Sequence, residues 1–293
     1  MSLRRRSLLR AAAALPALVF SRRLLAAEGL PTLRFVIVSD THLGRGESNS
    51  PGRNWSKAID EINELPGDFV LHLGDVVDSG REPFYPKYAE ARAKLKKPIH
   101  EIPGNHDPED LFRKYVSAQI DRSVDYGGVR FVLLGNAHRD SHLGFVTPKQ
   151  IEWLGEQFAD GAKKDLKLVL CCHVPVHSNA HPDRGWHVQP ADGQTGLYEL
   201  VDRHADRFIA LLHGHFHNGI RGWRDRGGLV ETVLPSVLYN QDRQWKQKGA
   251  PGFVLDEFRP GYTLAVLGDG KLTLEYKVLG AEVNGRYEAD LRS

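Results

Sequence analysis

Short apolar runs alternate with longer amphipathic stretches along the chain from Leu33 onward. Runs of this kind bounded by Gly, Pro and Asp predict buried strands, and the amphipathic stretches predict helices. The predicted strands are Leu33–Val38, Phe69–Leu73, Ile99–Ile102, Val129–Leu134, Leu166–Cys172 and Phe208–Leu212. The predicted helices are Trp55–Leu65, Pro86–Leu95, Pro108–Tyr115 and a helix from Pro148 to about Phe158, with Thr147 as its cap. This alternation favours an α/β layer architecture.

The C-terminal part of the chain has a different character, because its apolar runs are separated by Gly-rich turns. Three further strands are predicted there, Leu229–Leu234, Tyr262–Leu267 and Lys271–Val278. The turn Gly268-Asp269-Gly270 between the last two predicts a hairpin. These runs suggest two packed sheets flanked by helices. No repeat or linker divides the body, so residues 31–285 are interpreted as a single domain.

Five short segments that end or follow the predicted strands hold the candidate chemistry. They are Asp40-Thr41-His42, Gly74-Asp75-Val76-Val77-Asp78, Gly104-Asn105-His106-Asp107, His173-Val174-Pro175 and Gly214-His215-Phe216-His217. Open α/β sheets place their sites at the carboxyl ends of strands. Asp, Asn and His supply the oxygen and nitrogen donors that hold divalent metals, and two metals about 3.5–4 Å apart can activate water towards a phosphoryl group. The set therefore indicates a binuclear metallohydrolase of phosphate esters.

In order and in their glycines, these segments resemble the signature of the calcineurin-like metallophosphoesterase superfamily, which reads D-x-H, G-D-x-x-D, G-N-H-[DE], H and G-H-x-H. The resemblance extends roughly from Leu33 to Tyr276. It implies an α/β fold, a four-layer α-β-β-α sandwich with two packed mixed sheets. It also implies two divalent or mixed-valence ions, drawn from Mn, Fe, Zn and Co. The implied ligands are Asp40, His42 and His217 for the first metal, Asn105, His173 and His215 for the second, and Asp75 as the bridge between them.

The same resemblance implies that His106 is a catalytic residue and not a ligand. Its ring faces the substrate, where it can donate to a phosphoryl oxygen or protonate the leaving group. Asp78 is implied to orient a histidine from behind, and we expect that histidine to be His106. For Asp78 alone, the alternative is a helix-capping acid. The implied reaction is in-line attack on phosphorus by a hydroxide that bridges the two metals.

The substrate class is narrowed by the form of the motifs. Asp40-Thr41-His42, the stretch I-P-G-N-H-D and Pro251-Gly252-Phe253 look closest to the class III cyclic-nucleotide and glycerophospho-type phosphodiesterases. We therefore expect a small phosphodiester as the substrate. Two alternatives stay open: a phosphomonoesterase with the same site, and a non-catalytic metal-binding scaffold. Every motif position is intact, which favours the enzyme. The sequence makes no prediction of the oligomeric state.

The formal net charge of +2 conceals an uneven distribution. Residues 1–27 contain six arginines and no acidic residue. In the remainder, 33 Lys and Arg stand against 37 Asp and Glu, so residues 28–293 have a net charge of −4. Binding to a phosphate backbone requires clustered cations, and no such cluster is evident. This distribution argues against duplex nucleic acid as a partner.

The N-terminal segment, residues 1–27, resembles a twin-arginine export signal. Arg5-Arg6-Ser7-Leu8-Leu9-Arg10 precedes an apolar stretch, Ala11–Phe20, and the small residues Ala26-Ala27 follow. The apolar stretch is shorter than the ~20 residues that a membrane-spanning helix needs. We expect the twin-arginine translocation machinery as a partner and a periplasmic or secreted location. An amphipathic helix, or membrane anchoring by an uncleaved segment, remains the alternative.

Two long loops, Val174–Gln194 and Tyr239–Gly252, flank ligand segments in the sequence. Loops of this length inside a compact domain are commonly functional, so we expect both to form walls of the substrate pocket. The two cysteines, Cys171 and Cys172, are adjacent at the end of a predicted strand. Neighbouring strand residues point to opposite faces, so we expect them to pack separately and not to form a disulfide.

Overall fold

The computed structural model describes residues 31–46, 50–178, 185–240, 252–254 and 257–291. In chain order, the strands of these residues are β1 (Leu33–Val38), β2 (Phe69–His72), β3 (Ile99–Glu101), β4 (Arg122–Tyr126), β5 (Val129–Leu134), β6 (Lys167–Cys172), β7 (Phe208–His213), β8 (Arg221–Trp223), β9 (Val230–Val233), β10 (Phe253–Val254), β11 (Gly261–Gly268), β12 (Lys271–Val278) and β13 (Val283–Asp290). The α-helices are α1 (Ser50–Glu64), α2 (Tyr85–Arg92), α3 (Glu109–Tyr115), α4 (Pro148–Lys163) and α5 (Gln194–Arg203).

The described strands form two mixed sheets. One sheet has the order β13-β12-β11-β1-β2-β3, and the other has the order β10-β8-β9-β7-β6-β5-β4. In the first sheet β1, β2 and β3 are parallel, with Phe35 beside Phe69, and β11 joins β1 in the antiparallel sense. In the second sheet β5, β6, β7 and β9 are parallel. The strands that precede the candidate ligands therefore all run in parallel pairs, and their carboxyl ends share one edge of each sheet.

Alternation of side chains along the strands builds the layers. Phe35 and Ile37 of β1 enter the core between the two sheets, whereas Val36 and Val38 pack against the helices α1 to α3. On the second sheet, Leu170 and its neighbours pack against α4 and α5 in a separate cluster. Both faces of these strands are buried, which explains their continuous apolar runs. The predicted four-layer α-β-β-α sandwich with two packed mixed sheets is confirmed.

The two cysteines belong to different layers. Cys171 lies in the core between the sheets, and Cys172 lies in the cluster beneath α4 and α5. Both are buried and free, and burial raises the pKa of each thiol. As expected from their positions in β6, they point to opposite faces and act as small apolar groups.

The helices differ from the predicted ones mainly at their ends. Helix α1 begins at Ser50, five residues before the predicted start at Trp55. At α4 the predicted cap is confirmed, because Thr147 Oγ1 accepts from the N–H of Gln150 at 3.2 Å and Gln150 Oε1 accepts from the N–H of Thr147 at 3.0 Å. Among the described residues, no helix has the length and apolar character to cross a bilayer.

Four of the described strands were not predicted: β4, β8, β10 and β13. Three of them form edges of the sheets, where pairing on one side suffices and polar sequences are accepted. Strand β13 is the last of these and continues to Asp290, beyond residue 285.

Candidate metal centre

The five candidate segments meet where the carboxyl ends of β1, β2, β3, β6 and β7 approach one another. Backbone hydrogen bonds connect the segments, with the N–H of Asp40 donating to the carbonyl of Gly74 at 2.9 Å. The N–H of His215 donates to the Asp40 carboxylate at 3.2 Å, which joins the second sheet to the first. The site is therefore a seam between the sheets, to which both contribute side chains.

One group of donor atoms lies on the side of the first sheet. Asp40, His42, Asp75 and His217 each offer an atom within 4.8 Å of the others, and all four residues are buried. Nε2 of His217 lies 3.1 Å from Oδ1 of Asp40, and Nε2 of His42 lies 3.3 Å from Oδ2 of Asp75. These are the residues expected at the first metal together with the expected bridge.

A second group shares Asp75 and lies towards the second sheet. Asp75, His173 and His215 offer buried donor atoms within 4.8 Å of one another. Nε2 of His173 lies 3.4 Å from Oδ2 of Asp75, the oxygen that also faces His42. Asp75 thus stands between both groups, and its position suits a carboxylate that bridges two cations.

In each of the four histidines, one ring nitrogen contacts an oxygen and the other faces the donor groups. Nδ1 of His42 lies 3.2 Å from Oδ1 of Asp78. The other three contacts are with backbone carbonyls: His173 Nδ1 with Leu73 O at 2.6 Å, His215 Nε2 with His142 O at 3.1 Å, and His217 Nδ1 with Tyr239 O at 3.2 Å. Carbonyl and carboxylate oxygens only accept, so the contacting nitrogen carries the proton. In the neutral form of each ring, the inward nitrogen is therefore unprotonated and presents its lone pair.

These inward lone pairs face each other in two pairs. Nε2 of His42 lies 3.1 Å from Nε2 of His217, and Nδ1 of His215 lies 3.2 Å from Nε2 of His173. Two acceptors at this separation repel one another unless a cation or a proton lies between them. Each pair is adjacent to Asp75, so the donor set fits two cations side by side.

The side chain of Asn105 independently indicates a cation at this site. Its side chain is 6 % exposed, and its amide oxygen is buried without a hydrogen-bond partner among the described residues. A buried carbonyl oxygen without a partner costs free energy, so such atoms call for an explanation. Asn105 lines the pocket at the donor groups, where its oxygen suits a metal ion.

The electrostatics of the centre favour bound positive charge. Burial alone would raise the pKa of Asp40 and of Asp75, but neighbouring histidines outweigh it and hold both well below their usual range. Burial would likewise lower the pKa of His173, yet the Asp75 carboxylate raises it to about 9, so without a metal ion a proton on Nε2 of His173 occupies the gap to His215 that a cation would fill. Burial, together with the charge of His173, holds the pKa of His215 well below its ordinary value. The carboxylates stay ionised and attract a cation.

The backbone at the centre is strained in a consistent way. Five of the seven proposed ligands have positive φ: Asp40 (54°), His42 (43°), Asp75 (56°), His215 (76°) and His217 (50°). Non-glycine residues in this region cost on the order of 1 kcal/mol each and cluster at functional sites. Gly104 permits close approach, because a Cβ there would lie 2.1 Å from Oδ1 of Asp75.

His106 lines the pocket without joining either donor group around Asp75. Its Nδ1 accepts from the backbone N–H of Ser79 at 3.0 Å and lies 3.4 Å from Oδ1 of Asp78. We expected Asp78 to orient His106, but the same oxygen is closer to Nδ1 of His42, at 3.2 Å. Asp78 thus contacts the candidate ligand His42 and also lies beside His106, whose Nδ1 accepts from the main chain of Ser79. The role of Asp78 in orienting His106 stays a prediction.

Sequence reasoning left Asp107 without a role, although it lies inside a recognised motif. Its carboxylate is buried and accepts from the backbone N–H of Val76, Val77 and Gly104 and from the hydroxyl of Tyr85, at 3.0–3.2 Å. Asp107 therefore fastens the loop after β2 to the loop after β3. Burial and the nearby Asp75 charge raise the pKa of Asp107 to about 7.

Glu231 on β9 is a second residue that the motifs did not reveal. Its buried carboxylate accepts from the backbone N–H of Val176 and His177, from the hydroxyl of Tyr198 and from Nε2 of His213, at 2.7–3.0 Å. Val176 and His177 follow the candidate ligand segment after β6, and His213 precedes the segment after β7. One carboxylate thus fixes the residues that follow the first of these segments and the residue that precedes the second. In the sequence, however, it is only a single Glu within an apolar run.

The pocket above the donor groups has a volume of about 320 Å³. Its described lining includes Trp186 and Tyr239, one from each of the two loops expected to form walls. Residues 179–184 and 241–251 of those loops lie outside the described residues, and so does Pro251 of the Pro-Gly-Phe segment. Arg45 and His142 also line the pocket and were not expected from the sequence.

The chain is similar in sequence to proteins described as phosphodiesterases. The chain is 28% identical over 249 residues to the 3′,5′-cyclic adenosine monophosphate phosphodiesterase CpdA of Pseudomonas aeruginosa, covering 81% of this chain and 86% of that protein. It is 25% identical over 202 residues to the glycerophosphodiester phosphodiesterase GpdQ of Enterobacter lignolyticus, covering 62% and 69%.

Among solved structures, a dimetal phosphatase from Danio rerio superposes with a TM-score of 0.67 at 13% identity, covering 88% of this chain and 99% of that one. This similarity concerns the fold. The sequence profile of the family described as calcineurin-like phosphoesterase matches residues 33–219. That match includes all five ligand segments, and the donor geometry agrees with it. The chain belongs to the calcineurin-like phosphoesterase family.

Proposed function

We propose that the protein is a binuclear metal-dependent phosphodiesterase. The observation that carries the proposal is the pair of facing histidine lone pairs on either side of Asp75, His42 with His217 and His173 with His215. We further propose that Asp40, His42 and His217 hold one ion, that Asn105, His173 and His215 hold the other, and that Asp75 holds both. When bound, two such ions supply Lewis acidity to a phosphoryl oxygen and lower the pKa of a water.

The residues of this chain supply the remaining parts of the reaction. Because Nδ1 of His106 accepts from Ser79, the neutral ring carries its proton on Nε2. The side chain is 23 % exposed and lines the pocket, so this N–H can donate to a phosphoryl oxygen or to the departing ester oxygen. Asp78 keeps His42 in the tautomer whose Nε2 is free to bind metal.

A diester is favoured over a monoester by the charge of the pocket wall. Among the described lining residues, Arg45 is the one permanent cation, and its Nη1 lies 3.5 Å from Oδ1 of Asp78. A phosphomonoester brings a second negative charge that this wall does little to balance, whereas a diester brings one. The relatives CpdA and GpdQ, which are named as phosphodiesterases, support the same choice.

Steady-state kinetics of the purified full chain tests the proposal. The protein is stripped of metal, reloaded in turn with Mn, Fe, Co and Zn, and assayed with bis(p-nitrophenyl) phosphate and p-nitrophenyl phosphate. A metal-dependent preference for the diester is the expected result. Preference for the monoester would make the enzyme a phosphomonoesterase. Absence of metal-dependent turnover of both would favour the non-catalytic scaffold.

We also propose that residues 1–27 direct export by the twin-arginine machinery to the periplasm or beyond. The support is in the sequence: Arg5 and Arg6, the apolar stretch Ala11–Phe20, and no acidic residue before Glu28. This route exports folded proteins, which suits a chain that binds metal before export. Cell fractionation of the wild type and of a variant with Arg5→Lys and Arg6→Lys tests it. Cytoplasmic retention of the variant alone is expected, and equal distribution of both would contradict export.

A further inference from the structure

Two aromatic side chains form one wall of the pocket beside the proposed second metal position. The rings of His142 and Trp186 are stacked, with centroids 4.0 Å apart and planes 19° apart. Both rings are near the candidate ligand His215, with centroid distances of 5.6 Å for His142 and 5.3 Å for Trp186. We call His142 and Trp186 the aromatic wall.

The aromatic wall is supported from behind. Trp186 packs on Phe216 with the ring centroids 6.2 Å apart, and Phe216 belongs to a buried cluster with Trp223 and Val233. The segment that carries His142 is paired with the segment that carries Trp186, because Gly144 forms a bridge with Val188. A wall held in this way presents its surface without first ordering mobile side chains, and binding to it costs less conformational entropy.

The position of His142 is tied directly to the metal centre. Its backbone carbonyl accepts from Nε2 of His215 at 3.1 Å, while its side chain is exposed at the pocket. The carbonyl fixes the tautomer of a candidate ligand, and the ring of the same residue forms part of the wall. The position of the wall is therefore fixed relative to the proposed second metal position.

The part of the pocket next to the first donor group has a different chemistry, because His106 and Tyr239 have their rings 4.6 Å from those of His42 and His217 respectively. There the Arg45 guanidinium lies 5.2 Å from the centre of the Tyr239 ring and contacts Asp78. Asp78 also neighbours His106, the proposed donor to the departing ester oxygen. The leaving arm of a diester accordingly belongs on the side of His106, and the arm that stays on phosphorus is directed towards the aromatic wall.

We propose that His142 and Trp186 form a subsite that stacks on a flat ring in the retained arm of the diester. This inference rests on the proposed phosphodiesterase function and adds a substrate class to it. An aryl group or a nucleobase presents such a ring, whereas a small polyol such as glycerol has no flat surface to stack. Stacking on aromatic side chains recognises any planar ring and needs no specific hydrogen bond.

Two diesters with the same leaving group distinguish an effect on binding of the retained arm from an effect on the hydrolytic step. Bis(p-nitrophenyl) phosphate retains an aryl arm, and methyl p-nitrophenyl phosphate retains a methyl arm. For Trp186→Ala in the manganese-loaded full chain, kcat/KM for the aryl substrate is expected to fall roughly 5- to 20-fold further than for the methyl substrate. Trp153→Ala, which removes a partly buried tryptophan that packs on the core beneath α4, is the matched control with no differential loss expected. Equal losses on both substrates for Trp186→Ala would overturn the proposal.

A second variant guards against misfolding of the first. His142→Ala retains the carbonyl that contacts His215 and removes only the ring. It is expected to keep two metals per chain by elemental analysis while it shows the same preferential loss on the aryl substrate. If the ratio of kcat/KM for the aryl and the methyl substrate is unchanged in this variant, His142 is not part of the subsite.

Calorimetry distinguishes a failure of the subsite from a failure of the proposed function. Diphenyl phosphate and dimethyl phosphate lack an activated leaving group, so their binding to the manganese-loaded chain is measured apart from turnover. Tighter binding of diphenyl phosphate that Trp186→Ala abolishes supports the subsite even if neither p-nitrophenyl diester is hydrolysed. Equal binding of the two phosphates to the wild type would overturn the subsite even if the chain is an active phosphodiesterase.

Discussion

The backbone N–H of Ser79 donates to Nδ1 of His106 at 3.0 Å. Ser79 reaches this position with a left-handed backbone, at φ 51° and ψ 28°, in the short helical turn after Asp78. The contact fixes the proton of the neutral ring on Nε2, as for a donor that serves the substrate. The protonation pattern of the proposed catalytic histidine is thus set by a main-chain N–H, which every substitution of Ser79 except proline would retain.

Removal of His106 tests its separation from the ligands. His106→Ala is expected to lower kcat by ~10²–10⁴, because a positioned proton donor contributes about that factor. Both metals should remain, since the ring belongs to neither donor group around Asp75. Steady-state kinetics with bis(p-nitrophenyl) phosphate and elemental analysis of the same sample measure the two effects. Loss of a metal would make His106 a ligand. Ser79→Gly keeps the N–H and suits the positive φ, so its loss of kcat should be far smaller.

Asp75 and Asp40 should differ in how many ions they hold. Oδ2 of Asp75 lies 3.3 Å from His42 Nε2 and 3.4 Å from His173 Nε2, so Asp75→Asn should weaken both sites. Among the candidate ligand atoms, the Asp40 carboxylate lies with the first group, 3.1 Å from His217 Nε2, and its contact with His215 is through the backbone N–H. Asp40→Asn should therefore retain about one ion per chain, the number that a single intact site holds. Metal titration followed by calorimetry provides the comparison, and identical stoichiometries for the two variants would disprove the bridging role.

Glu231 should support metal binding without touching metal. Glu231→Gln replaces an acceptor of four hydrogen bonds by an amide and should destabilise the fold by ~3 kcal/mol. Because the carboxylate holds the approaches to His173 and His215, metal affinity should also fall roughly 10- to 100-fold. Tyr198→Phe removes a single donor and is the control, with a small effect on stability. Urea unfolding and metal titration measure both quantities, and unchanged metal affinity in Glu231→Gln would limit its role to stability.

His100 on β3 should contribute to the pH dependence of stability. Burial, and then the charges of Arg122 and Arg92, lower the pKa of His100 to about 4. The unfolded chain therefore binds this proton between about pH 6.5 and 4 while the folded chain does not, so the free energy of unfolding falls as pH decreases through that window. Partial exposure limits the contribution to about 1 kcal/mol.

In the variant His100→Gln, the free energy of unfolding should depend less on pH between about 6.5 and 4. Urea unfolding of wild type and variant at pH 7.5 gives the baseline above both pKa values, and a series down to pH 4 gives the slope. A difference between the two proteins that grows as pH falls is the expected outcome. A constant difference would show that His100 titrates normally in the folded protein.

The layers and the ligand segments were predictable because the responsible signals are local. Strands such as β5 and β7 are buried on both faces and therefore appear as continuous apolar runs. The candidate ligands follow directly from the ends of such strands. Their geometry agrees with the expectation, but the assignment of each residue to a metal stays a prediction.

Strand β4, the sequence Arg122–Tyr126, gave no such signal because an edge strand needs little apolar surface. A usable cue was present in Gly127-Gly128, both with positive φ, which form the two-residue turn to β5. The aromatic wall and the Glu231 contacts were not predictable in the same way. Their residues are far apart in the chain, and only the packed fold brings His142 to Trp186.

His142 is a single residue that contacts both the metal centre and the pocket wall. Its carbonyl accepts from His215, and its ring stacks on Trp186. Occupancy of the pocket and occupancy of the proposed second metal position are then thermodynamically linked. The factor by which a stacked diester tightens the ion must equal the factor by which the ion tightens the diester. An enzyme built in this way would bind that ion most tightly while a stacked diester is bound. When metal is limiting, the substrate-free protein would therefore have the lower occupancy at that position.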